Sequence, residues 1–195
     1  MRDQFNSAVK AQLDDKIYKH SLALEACMGG LYDYFSKHNL LDASEPSKED
    51  WLLAGLIHDI DYSDPFKPNH PNLTNEALSH YQLSASDTVI NIVKAHGPKE
   101  TGVQPKTKAQ WSIFCADSLT GLIMAVAYVY PSQKLSDVKL SSVLKRFLKE
   151  PRFAAGTRRD EVALCSKPDG LNLSLEKFIE ICLSSLQAIA PALGL

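Results

Sequence analysis

Six residues of metal-ligating type fall where helical periodicity turns them inward, or where a loop delivers them to the same place. His20, His58, Asp59, His96 and Asp117 occupy core-facing positions, and His70 ends a proline-rich loop between them. All six offer nitrogen or oxygen, and none offers sulfur. A buried carboxylate without a partner costs several kcal/mol or takes up a proton, so two inward aspartates among inward histidines need one another or a cation. A divalent ion answers that need. The mixture of imidazole and carboxylate suits Mn, Fe, Co, Ni or Zn with open coordination positions, and is unlike a cysteine-rich structural zinc site. Taken singly, His20 or His96 also fits a hydrogen-bonded core histidine, and Asp117 a helix-to-helix hydrogen-bond partner. His58-Asp59 differs, because two adjacent polar side chains closing a buried helix gain nothing from packing. His38, at a helix end where a cation suits the dipole, and His80, on a polar stretch, are expected at the surface.

Helices must position this set. From Lys16 to about Lys37, Ile17, His20, Leu24, Cys27, Met28, Leu31 and Phe35 recur at three- and four-residue steps. Ser47 with Asp50 forms a capping-box pattern opening a helix from Glu49 to about Asp59 that is apolar nearly all round. The segment DYSDPFKPNHP, Asp61 to Pro71, has the composition of a loop carrying site residues. Helices are then predicted at Leu73 to Gln82, Ser86 to Ala95 (with His96 continuing its inward face) and Thr107 to Val129, which carries Asp117. Further helices are predicted at Ser136 to Lys149, Arg159 to Ser166 and Ser174 to Ala190. No clean apolar-polar alternation marks a strand. The fold class is all-α: a compact bundle forming a single domain over 1–195, with additional C-terminal helices at about 131–195.

Composition bounds the partners. The chain has 195 residues, 45% apolar and 23% charged, with 21 basic and 23 acidic groups and a net charge of -2. A chain of this length buries roughly 70% of its unfolded surface, so a metal is not needed merely to fold it. Near-neutrality argues against a dedicated nucleic-acid or membrane surface. The cysteines at 27, 115, 165 and 182 are widely spaced in apolar surroundings and are expected to be reduced core residues. The N-terminus has no basic start followed by an apolar stretch, which predicts a cytoplasmic protein. The most apolar run, Leu119 to Tyr130, is shorter than the ~20 residues that cross a bilayer, which predicts a buried helix.

The residues also carry a family resemblance. KHSLAL at His20, LLAGLIHDID at His58-Asp59 and FCADSLTG at Asp117 resemble the H…HD…D pattern of the HD-domain superfamily of metal-dependent phosphohydrolases. HDID looks like the family's HDIG signature with Asp61 in place of glycine. His70 in NHPNLTNEAL and His96 in IVKAHG resemble the extra histidines of binuclear HD proteins, including HD-GYP phosphodiesterases and some dinucleotide polyphosphate hydrolases. The resemblance covers roughly residues 16 to 125. It implies an HD-like helical fold in which His20, His58, Asp59 and Asp117 hold one divalent ion, Mg included among the choices, and Asp59 bridges to a second held by His70 and His96. It further implies hydrolysis of a phosphoester of a nucleotide or small phosphorylated metabolite by a metal-activated water, with His58 and Asp59 in the catalytic centre. Asp61 would help by orienting the water or protonating the leaving oxygen, or would simply cap the loop. Some HD proteins with the same ligand set hold di-iron and resemble oxygenases cleaving C–C or C–P bonds, and a non-catalytic module binding metal or nucleotide is a third alternative.

Charge is unevenly spread. Residues 1–61 contain 11 acids and 6 bases, whereas residues 139–160 carry Lys139, Lys145, Arg146, Lys149, Arg152, Arg158 and Arg159 against Glu150 and Asp160. The basic segment is either a solvated face or the source of a phosphate grip, with Lys145 and Arg158 the candidates.

Overall fold

The computed structural model describes residues 2–195. It contains 11 α-helices and, among the described residues, no strand. In chain order they are α1 (Arg2–Gln12), α2 (Asp15–Lys37), α3 (Lys48–Ile57), α4 (Thr74–His80), α5 (Asp87–Lys94), α6 (Pro98–Thr101), α7 (Lys108–Tyr128), α8 (Leu140–Lys149), α9 (Arg159–Ala163), α10 (Leu175–Ala188) and α11 (Ala190–Leu193). Single 3-10 turns occupy Lys67–Asn69, Leu135–Asp137 and Leu164–Ser166.

Helix starts follow local chemistry. The Asp14 carboxylate accepts from the Lys16 and Ile17 N–H groups, and Ser86 and Ser174 accept from Val89 and Lys177. Ser47 with Asp50 and Thr107 with Gln110 close reciprocal capping boxes. The start of α7 has a second cap from a distance, because the Glu45 carboxylate accepts from Lys108 N at 2.6 Å and Ala109 N at 3.3 Å. Aligned N–H dipoles at a helix start favour a carboxylate there.

Helix α2 is the hub and packs on α3, α7 and α10, while α5 lies against α3 and α7. Trp51, Phe35, Phe178, Leu24 and Met28 are fully buried between them. Gly55 lets α3 approach α2: a Cβ there would stand 2.8 Å from the Glu25 Cα, a backbone contact that neither helix can relieve without moving. Helix α7 is buried on nearly every side.

The predicted helices are found with modest shifts. The helix expected to reach Asp59 ends at Ile57, and the chain turns tightly as Ile60 N bonds Ile57 O and Tyr62 N bonds Asp59 O. Helices α1 and α6 lie where no helix is predicted, and a further short helix, α11, starts at Ala190 with Pro191 in its first turn. Proline suits a first helical turn because its missing N–H would have had no partner there. The Leu119–Tyr130 run understated its helix. The whole of α7 is long and apolar enough to cross a membrane by length and composition, yet 72% of its most apolar window is buried inside this molecule. All four cysteines are free and buried; burial pushes the Cys165 thiol up to about 12, and the Cys115 and Cys182 thiols are also raised by burial.

Candidate metal centre

Five separate segments deliver the six expected residues to one place. His20 lies in the first half of α2, His58 caps the end of α3, and Asp59 follows in the turn. His70 ends the 3-10 turn in the loop, His96 follows α5, and Asp117 projects from the middle of α7. His58, Asp59, His96 and Asp117 are buried, and the side chains of His20 and His70 keep a narrow opening to solvent.

Each imidazole is anchored by the nitrogen facing away from the centre. His58 Nδ1 donates to the Gly55 carbonyl at 2.9 Å, and His96 Nδ1 to the Val93 carbonyl at 2.5 Å. His70 Nδ1 donates to Asp61 Oδ1 at 2.7 Å. The fourth anchor is a hydroxyl: Thr120 Oγ1 donates to the Asp117 carbonyl at 2.8 Å, so it accepts from His20 Nδ1 at 2.9 Å. Carbonyls and carboxylates only accept, so these partners place the proton of every neutral ring on Nδ1 and leave the Nε2 lone pair free.

The four Nε2 atoms meet in two pairs. His20 and His58 Nε2 are 3.1 Å apart, and His70 and His96 Nε2 are 3.3 Å apart. Lone pairs facing each other at such distances repel unless a proton or a cation lies between them. Two carboxylates complete the arrangement. Asp59 Oδ2 is 3.3 Å from His58 Nε2 and 3.6 Å from His20 Nε2, while its Oδ1 is 3.4 Å from His70 Nε2 and 3.8 Å from His96 Nε2. Asp117 Oδ1 stands 3.0 Å from His20 Nε2 and 3.9 Å from His58 Nε2. Two sets result, His20–His58–Asp59 and Asp59–His70–His96, each with its ligand atoms within 4.8 Å of one another. Asp59 belongs to both, one oxygen to each, and Asp117 joins the first. Fixed tautomers, converging lone pairs and buried negative charge fit a divalent cation in each set.

The electrostatics follow from that convergence. Burial alone would raise the carboxyl pKa of Asp59, but His58 and His20 outweigh it and hold the group well below the usual carboxylate range. Asp117 is depressed in the same way, against its own burial, by His20 and His58. Burial opposes protonation of His58 and His70, yet Asp59 beside the first and Asp61 beside the second raise both. His96 goes the other way: burial, with His58 nearby, lowers it to about 4 and keeps it neutral.

The remaining expected residues separate. Arg158 stands at the site, donating from Nη2 to Asp117 Oδ2 at 2.6 Å and from Nε to Glu161. It lines a cleft of about 400 Å³ that opens over His20, Asp59, His70 and His96. Lys145 is not in that wall: α8 buries Val143 and Phe147 on one face and turns Lys145 outward, where it is 65% exposed beside Glu150. Asp61 is fully buried and lies behind the centre, one oxygen taken by His70 and the other accepting from Leu73 N at 2.9 Å. Both oxygens are thus engaged within the protein, and Asp61 does not line the cleft. Thr120, Glu161 and Tyr62, the last with its ring edge-on to His70 at 4.9 Å, belong to the site without having been anticipated. Only Thr120 had a sequence signal, its place one turn beyond Asp117 on the same inward stripe. His38 and His80 are exposed. Comparison with family models, curated proteins and solved structures found no match.

Proposed function

We propose that the protein is a metal-dependent phosphohydrolase acting on a small phosphorylated metabolite or nucleotide. The observation that carries this reading is the convergence of four Nε2 lone pairs and two carboxylates into two sets sharing Asp59. The resemblance of HDID and its surrounding residues to HD-domain phosphohydrolases supports it. His20, His58, Asp59 and Asp117 would hold one ion; Asp59, His70 and His96 would hold a second. A divalent ion there supplies Lewis acidity, bringing the pKa of a water near neutrality and neutralising charge on a phosphoryl group.

The protein's own groups do the rest. Thr120, Gly55, Asp61 and Val93 hold the rings so that only Nε2 faces inward, which makes Asp61 a positioning residue for His70. Arg158 keeps guanidinium N–H groups beyond those bound to Asp117 and Glu161, and these suit a non-bridging phosphoryl oxygen. In the overall step a water oxygen bonds to phosphorus and the ester P–O bond breaks. The attacking water gives up a proton to solvent in the open cleft, and the leaving oxygen takes the electron pair and a proton, giving an alcohol and phosphate. A cleft of about 400 Å³ suits a small molecule.

Protein purified without chelators should contain a first-row divalent metal and release phosphate from generic phosphoesters with added Mn, Co or Ni. His58→Ala and Asp59→Ala, still folded by far-UV circular dichroism, should lose on the order of a hundredfold or more of that activity. Undiminished turnover in both would end the reading. Oxygen uptake by iron-loaded protein with no phosphate release under any metal would assign a di-iron oxygenase instead.

A further inference from the structure

Seven bases crowd residues 139–160, and two of them, Arg158 and Arg159, are neighbours with unlike duties. Arg158 reaches the centre, bonding Asp117 and Glu161 and lining the cleft. Arg159 does not line the cleft and spends its guanidinium on backbone. Its Nε donates to the Phe147 carbonyl at 3.1 Å and its Nη1 to the Ala154 carbonyl at 3.5 Å. Its Nη2 lies 2.6 Å from the Phe153 carbonyl, 3.3 Å from that of Glu150 and 3.4 Å from that of Arg146. The carbonyls of residues 146 and 147 belong to the last turn of α8, where backbone oxygens have no intrahelical donor. The other three belong to the chain that leaves it, so one side chain ties a helix end to the loop that follows.

That loop needs tying. Residues 150–158 form turns but no helix between α8 and α9. Ala154 has a φ of +44°, a left-handed conformation in which its Cβ is crowded and glycine is the usual occupant. Such a residue persists only where its surroundings over-determine it, and its carbonyl is held twice, by Thr157 N at 2.9 Å and by Arg159. Four residues on, Arg158 leaves the same loop with its side chain 46% exposed. A long exposed side chain gives up rotamer freedom when it grips a ligand, and fixing it beforehand removes that cost. Asp117 and Glu161 fix the head of Arg158; the loop fixes its base.

We propose that Arg159 is a positioning residue for phosphoryl binding: by clamping this loop to the end of α8, it sets where Arg158 enters the cleft. The proposal rests on the phosphohydrolase reading and adds the device that aims its phosphate grip. Lysine cannot replace Arg159, because one ammonium cannot span carbonyls spread from residue 146 to residue 154.

Calorimetric titration with methylphosphonate at saturating Mn tests the clamp without turnover. Wild type, Arg158→Gln, Arg159→Lys and the double variant are compared, with circular dichroism and Mn stoichiometry as checks. Arg158→Gln should bind methylphosphonate about tenfold more weakly or worse, through loss of a charge-assisted contact. Arg159→Lys should weaken it by about fivefold or more through misplacement, yet add less than about twofold once Arg158 is already glutamine. A merely stabilising side chain would lower Tm in both backgrounds and leave the phosphonate Kd alone. Two glycines inserted after the exposed Gly156 lengthen the path from the clamped turn to Arg158 and should weaken methylphosphonate likewise; this variant carries the test should Arg159→Lys not fold. Wild-type affinity in Arg159→Lys and in the insertion variant, or a loss that persists undiminished beside Arg158→Gln, overturns the clamp and leaves the phosphoester reading intact. Equal affinity in the wild type and Arg158→Gln removes the grip and the clamp together. If methylphosphonate binds none of the Mn-loaded proteins, the phosphoester reading itself falls and takes the clamp with it.

Discussion

At the scale of single residues, the centre depends on which nitrogen of each ring holds the proton, and two partners offer clean tests. Thr120→Val keeps the shape but leaves His20 Nδ1 without an acceptor. Loss of such an outer partner lowers metal affinity by about 10- to 100-fold, which Mn titration should show in a protein with unchanged helicity. Asp61→Asn is sharper. The amide oxygen can still accept from Leu73 N, but its NH2 then faces His70 Nδ1 and forces the proton to Nε2, where it blocks ligation. The variant should bind one ion where the wild type binds two, as measured by metal analysis after gel filtration. Acidity acts on the same atoms. The raised pKa values of His58 and His70 mean that their stabilisation of the metal-free protein is complete below about pH 6.5 and is lost as pH rises through the raised values. Asp59 and Asp117, depressed, stabilise above about pH 4, and that contribution is lost as pH falls through their lowered values. Metal competes with protons for Nε2. The gain in Tm on adding Mn should therefore grow between about pH 6 and about pH 8; a gain that shrinks over that interval would place the ion elsewhere. Residue identity was legible because His20, His96 and Asp117 follow helical periodicity. The anchors were not, since His70 meets Asp61 across a loop without periodicity.

Between elements, distance of approach decides. Gly55→Ala drives a methyl into the α2 backbone at Glu25 and displaces the carbonyl that anchors His58. Overpacking of this kind costs about 1–3 kcal/mol. The variant should melt about 2–12 °C lower, at roughly 2–4 °C per kcal/mol for a chain of this size, and should also bind metal more weakly. Gly121→Ala sits in open space and should do the opposite, stabilising α7 by about 1 kcal/mol. Equal effects of the two substitutions in thermal melts would contradict these helix contacts. The long helices were legible from their stripes and caps. Helix α1 was not, because Phe5, Ala8 and Val9 are a short apolar signal in a polar sequence. Tertiary contacts hold it: Arg2 forks onto the Glu25 carboxylate at 2.6 and 2.7 Å, and Gln12 joins Ser63 of the His70 loop at 2.6 Å. Lys145 and Arg158 looked alike in one basic segment; only the amphipathic face of α8 sends the first to solvent.

Across the whole molecule, the acidic N-terminal third and the basic segment after residue 139 meet where Arg158 bonds Asp117 and lines the cleft with His20 and Asp59. A core of this extent should hold without a metal. Its buried cluster runs from Phe5 to Leu193 through α1, α2, α3, α7 and α10. Chelation should leave the far-UV spectrum at 25 °C unchanged. An ion at a hundredfold its Kd adds about 2.7 kcal/mol, so chelation should lower Tm by about 5–11 °C. Collapse of helicity on chelation would show the ion to be part of the fold. Asp59 has a further consequence, because it alone gives one oxygen to each set. An ion held by His20, His58 and Asp117 would draw electron density from the carboxylate that a second ion must use, and two positive charges there would repel. Filling one set would therefore weaken the other, and by linkage the penalty would be the same whichever filled first. Calorimetric titration should resolve two unequal steps, and Asp59→Asn, by removing the shared charge, should weaken both at once.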